Sequence, residues 1–75
     1  MDLSSNPGTV PLTRTEMKCL TMIAEGYTEE EIGRELTLSK EETTAVLNVV
    51  VIKLGSPNRM AAIGKAMRLG MISCN

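Results

Sequence analysis

The chain has 75 residues, enough for one small domain and near the lower limit for a single core without staples. Tyr27 is its only aromatic residue and it has no His, so a Cys/His zinc site is excluded and the core must come from Leu, Ile, Val, Ala and the six Met residues. Net charge is −1, short of the basic character of a strong nucleic-acid binder, but residues 1–42 hold all nine acids against four bases, whereas residues 43–75 hold Lys53, Arg59, Lys65 and Arg68 and no acid.

Cys19 and Cys74 form neither a disulfide framework nor a metal-ligand spacing, and read as a buried thiol and a terminal one. The N-terminus has no basic start followed by an apolar run, and no stretch approaches the roughly 18 apolar residues of a membrane span. The cytoplasm is the expected compartment, with no membrane contact.

Residues 1–11, rich in Ser, Asn, Pro, Gly and Thr, read as a flexible tail, and residues 12–75 as the domain. Order begins at Leu12-Thr13-Arg14-Thr15-Glu16-Met17, where Thr13 and Glu16 form a reciprocal capping pair and Leu12 can staple onto Met17. The spacing predicts a helix over 14–25 with Met17, Leu20, Ile23 and Ala24 on one side and Gly26 ending it. Thr28 and Glu31 repeat the capping device ahead of a short helix over 29–36. Its apolar face is Ile32 and Leu36, and Gly33 between them allows a close helix approach. Only Thr37-Leu38 then separates it from Ser39, so the two helices must cross steeply, as in a helix-turn-helix.

Ser39 and Glu42 cap a third helix over 40–54, closed by Gly55. Thr43, Leu47, Val50 and Leu54 share its inward face. The β-branched run Val49-Val50-Val51-Ile52 has strand character when read alone, but the caps at both ends override it. A fourth helix is expected from Ser56-Pro57, with Pro at the first helical position, through Met60, Ile63, Ala66, Met67 and Leu69 to Gly70. Met71 and Ile72 can fold back on its last turn. The fold class that results is all-α, with four helices around a helix-turn-helix.

The whole stretch from about 12 to 72 resembles the LuxR/GerE/NarL-type helix-turn-helix domain. The resemblance is carried by Leu12-Thr13-Arg14 with Glu16, then Leu20, Ile23-Ala24 and Gly26, Glu31-Ile32, Leu36 and Ser39, and most strongly by Lys53-Leu54-Gly55, Arg59, Ala62, Ala66, Gly70 and Ile72. It implies a DNA-binding module of transcription regulators, whose third helix enters the major groove and whose fourth often makes a two-fold dimer contact. Members usually carry the module behind a receiver or ligand-sensing domain. The initial Met and short polar tail suggest a stand-alone member, like the small GerE-type spore-coat regulators.

Departures from the family pattern fall where DNA would be touched. A basic residue is usual where Glu30 stands, Thr-Val-Lys where Glu42-Thr43-Thr44 stands, and His is common in place of Val46. Phosphate contacts supply much of such a protein's affinity, so their loss is costly. The candidate DNA contacts are Thr28, Lys40, Glu41, Thr44, Asn48, Lys53 and Arg59. Glu41 can accept from a cytosine amino group and Asn48 can pair with adenine, while Thr28, Thr44 and helix N-termini can meet phosphates and Lys40, Lys53 and Arg59 supply charge. Each has a plainer reading: Asn48 as a solvated helix residue, Lys53 and Arg59 as partners of helix ends, Glu42 as a cap.

Val49 and Ile52 point away from the inward face, and with Ile63 and Met67 they form a candidate protein interface, unless the fourth helix and the tail cover them. An enzyme is not expected, because there is no His, no Gly-rich phosphate loop and no converging carboxylate pair. No cofactor, metal or small-molecule ligand is expected either. Two readings stand: a DNA-binding transcription regulator acting through residues 40–54 on double-stranded DNA, as a homodimer or heterodimer with a related regulator, or an interaction module of the same fold with weakened DNA binding.

Overall fold

The computed structural model describes residues 11–72. The tail expected over residues 1–11, apart from Pro11, and the Cys74 thiol lie outside them. Four helices follow in order, α1 (Arg14–Ala24), α2 (Glu29–Leu36), α3 (Lys40–Lys53) and α4 (Arg59–Arg68), with no strand among the described residues.

The three expected capping boxes are all present. Thr13, Thr28 and Ser39 each accept from the backbone N–H of the Glu three residues on, and that Glu accepts in return from the cap backbone at 2.8 Å. Each box satisfies two donors that a helix start leaves orphaned, which is why the first three helices begin where the sequence indicates. The β-branched run is helical throughout, as its caps require.

The start of α4 differs from expectation. Asn58, not Ser56, is its N-cap, with Oδ1 accepting from the Ala61 N–H at 2.9 Å, so Pro57 precedes the helix rather than opening it. Ser56 is already committed to the end of α3: its N–H donates to the Val51 carbonyl at 3.1 Å, one residue after Gly55 turns left-handed at φ 61°. Only part of the apolar series along α4 is buried. Met60 and Leu69 are exposed, and the helix packs through Ala62 and Ala66, whose small side chains bring its backbone close to the core.

Helix α3 lies at the centre and touches each of the other three helices. Its inward residues serve two clusters. Val50 and Leu54 join Leu20, Ala62, Ala66 and Ile72, while Leu47 joins Cys19 and Ile32. Ile72 reaches its cluster through the expected fold-back, with the Met71 N–H donating to the Ala66 carbonyl at 2.9 Å. Thr43 is fully buried, and its hydroxyl donates to the Ser39 carbonyl at 2.9 Å, so the inward face carries no unsatisfied hydroxyl.

The crossing of α2 and α3 depends on Gly33. A Cβ there would meet the Leu38 carbonyl oxygen at 2.9 Å and Thr43 Oγ1 at 3.0 Å. The turn between them is equally tight: Thr37 takes the left-handed conformation, φ 59°, and the Leu38 N–H donates back to the Gly33 carbonyl at 2.8 Å. At the other end of α3, Lys53 Nζ donates to Glu16 Oε1 at 2.7 Å and to the Pro11 carbonyl at 3.4 Å, tying α3 to the start of α1. Lys65 Nζ donates to the Leu54 carbonyl at 2.7 Å and closes the C-terminal end of α3 from α4.

Gly33→Ala should lower stability by about 1–2 kcal/mol in thermal or denaturant unfolding, because the overpacking exceeds the gain in helix propensity of about 1 kcal/mol. A rise in melting temperature would mean that the helices can separate at no cost. The Glu16 carboxyl is pushed up by burial, but hydrogen bonds from Lys53 and Thr13 outweigh this and hold it below its ordinary 4.5. A carboxylate lowered on folding adds stability above its unfolded value and loses it as pH falls through the folded value. Stability should therefore drop on acidification below about pH 4.5. Lys53→Gln should flatten that slope and cost about 1–3 kcal/mol at neutral pH. An unchanged acid limb would show that the pair adds nothing.

Candidate nucleic-acid interface

Burying Thr43, Leu47, Val50 and Leu54 fixes which stripe of α3 faces outward. With 3.6 residues per turn, the opposite side carries Glu41, Ala45, Asn48 and Ile52, and all four are exposed. Among the described residues none pairs with the side chain of Glu41 or Asn48. Lys40, the first residue of the helix, is exposed beside them. Ala45 was not among the residues singled out from the sequence. Its signal was present in the spacing 41, 45, 48, opposite the inward set, but an alanine has no chemistry that draws attention.

The other candidate contacts are already engaged within the domain. Thr28 Oγ1 accepts from the Glu31 N–H at 3.1 Å, and its hydroxyl hydrogen is directed to the Glu31 carboxylate. The Glu31 carboxyl, accepting from the Thr28 backbone and hydroxyl, is held below its ordinary value. Lys53 is paired to Glu16, as described above. Thr44 Oγ1 donates to Glu29 Oε1 at 2.7 Å, and the Arg59 guanidinium pairs with the other oxygen of the same carboxylate. Those two interactions, the Thr44 hydrogen bond first, hold the Glu29 carboxyl below its ordinary value, so it is ionised at neutral pH. Glu29 thus joins α2, α3 and α4 at one point. Its partners lie 15 and 30 residues away, so no local spacing marks it.

The acids near this face are partly neutralised. Glu29 is paired, Glu42 caps α3 as its plainer reading held, and Glu30 lies 3.8 Å from Arg34 in an exposed pair of little energetic weight. Glu41 is the acid left on the outward stripe itself. Val49, Ile52 and Met67, from the proposed protein-facing set, are exposed at 38%, 74% and 37%. Ile63 is half-buried and packs against the core, so it offers less to a partner than the other three.

Among the described residues no helix is long and apolar enough to cross a membrane, and no group of three His, Cys, Asp or Glu side chains could hold a metal ion. Cys19 is a free, fully buried thiol, raised above its ordinary value by burial and by the nearby Glu16 charge.

Comparison with known proteins agrees with this geometry. Residues 10–66 match the family model described as bacterial regulatory proteins, luxR family. The chain is 36% identical over 61 residues to the transcriptional activator protein SolR of Ralstonia nicotianae, which covers 81% of this chain and 26% of that protein. It is also 36% identical over 61 residues to the HTH-type quorum sensing-dependent transcriptional regulator VjbR of Brucella ovis, covering 81% of this chain and 24% of that protein. The chain therefore spans about a quarter of the length of these relatives. Among solved structures, the transcription factor GerE superposes with a TM-score of 0.79 at 27% identity, over 83% of this chain and 92% of that one. A four-helix fold, an α3 supported on three sides and a match over most of its length place this chain in the luxR family of bacterial regulatory proteins.

Proposed function

We propose that this domain binds duplex DNA and regulates transcription, with α3 lying in the major groove. The observation that carries the reading is the outward stripe of α3, where Glu41, Ala45 and Asn48 are presented on a helix that packs against the other three. Within that stripe Asn48 pairs with adenine, Glu41 accepts from the amino group of cytosine and Ala45 meets the methyl group of thymine. Lys40 meets phosphates, helped by the positive N-terminal ends of α2 and α3, while the Thr28 hydroxyl is held by Glu31. Thr44, Lys53 and Arg59 stand behind this first set, because each is already bound to a carboxylate. A cytoplasmic location belongs to the same reading.

With about three effective phosphate contacts, affinity should fall roughly 40-fold between about 50 and 200 mM salt, measured by fluorescence anisotropy on labelled duplex DNA. Failure to bind at about 100 μM protein in the low-salt buffer would sink the DNA reading and favour an interaction module of the same fold.

The domain also pairs with a second copy, or with a related regulator, through the exposed apolar residues of α3 and α4. Val49, Ile52 and Met67 are its exposed members, and Ile63 is half-buried against the core. Sedimentation velocity should show the average mass rising with concentration, and Met67→Glu should suppress that rise with the helix signal intact. A mass that stays monomeric at every concentration, alone and with a related regulator, would count against dimerisation.

A further inference from the structure

Glu29 places one carboxylate between two donors that a DNA-binding reading assigns to phosphate. One oxygen accepts from the Thr44 hydroxyl on α3, and the other pairs with the guanidinium of Arg59, the first residue of α4. A guanidinium fork fits carboxylate and phosphate oxygens alike, so a phosphodiester could take the same two donors. A hydroxyl and a guanidinium converging on one anion, from two different helices, form a site for an oxyanion that the protein has filled from within.

The surroundings favour a contact that can open. The Arg59 and Glu29 side chains are 35% and 29% exposed, so the pair is accessible from outside. Arg59 sits at the positive end of α4, with no acid in that first turn, so it needs an anion from elsewhere. Lys40, at the start of α3, also acts on the Glu29 charge. Every group needed to receive a phosphate is therefore gathered around a removable internal anion.

We propose that Glu29 is an affinity-limiting residue, an internal competitor that occupies the phosphate position formed by Thr44 and Arg59 and keeps both from DNA until it is displaced. The proposal rests on the DNA-binding reading above. It makes the domain a deliberately weak binder, one whose Arg59 contributes to DNA binding only when the Glu29 pair opens.

The test uses labelled duplex DNA with the wild-type chain, Glu29→Gln, Arg59→Gln and the double variant. Glutamine keeps an acceptor for Thr44 but gives up the charge that holds Arg59. Glu29→Gln should bind about tenfold tighter at about 50 mM salt, and the advantage should shrink to about threefold near 200 mM, as one added phosphate contact steepens the salt slope by about 0.9. In the double variant the gain should vanish, because the released guanidinium is its source. A gain that persists without Arg59 would be a general loss of negative charge and would overturn the proposal. So would equal or weaker binding by Glu29→Gln while the wild type binds, which would make Glu29 a positioning residue and leave the DNA reading standing. If no variant binds, the DNA reading fails and the proposal with it. Should Glu29→Gln fail to fold by circular dichroism, Glu29→Asp keeps the charge but withdraws it by one methylene, and a smaller gain in the same direction is required.

Discussion

At Gly33 the second helix comes so near the third that there is no room for a methyl group. The Leu38 carbonyl and the Thr43 hydroxyl fill the space where a Cβ would project. Helices joined by so short a turn can cross in few ways, and this contact selects one. The crossing turns Thr43, Leu47, Val50 and Leu54 inward, and that choice leaves Glu41, Ala45, Asn48 and Ile52 outside. The surface offered to a partner is thus the consequence of a packing constraint on the opposite side of the same helix.

Charge is distributed by a related logic. Of the basic residues in the second half of the chain, Lys53 holds α1 to α3, Lys65 closes the C-terminal end of α3, and Arg59 holds Glu29. These cations stabilise the arrangement of short helices around a small aliphatic core before they can serve any ligand. A domain of this size has little apolar area to bury, so polar ties between helix ends matter more than they would in a larger protein. Beside the outward stripe of α3, what is left to attract a polyanion is Lys40 and the positive ends of helices.

Legibility from the sequence varied with the range of the interaction. The first three helix starts were readable because each capping box is closed within four residues, and the sequence states both partners. The inward face of α3 was readable from its spacing, despite a β-branched run that alone suggested a strand. The start of α4 lies beyond the Ser56-Pro57 signal because Asn58 is also a good cap, and its side chain is the one that reaches the Ala61 N–H. Along α4 the series Met60, Ile63, Ala66, Met67 and Leu69 did not distinguish buried from exposed positions, and close backbone approach selects Ala62 and Ala66 for the core.

The candidate site divides in the same way. Composition, capping and spacing by themselves determined the all-α class, the helix-turn-helix, the family resemblance and which side of α3 is free. They could not tell whether Thr44, Lys53 and Arg59 were available, because their partners lie 15, 37 and 30 residues away in the chain. Such pairings have no periodicity and no fixed spacing. They exist only once three helix ends have been packed together, so the tertiary structure alone decided that Glu29 and Glu16, rather than solvent, face those side chains.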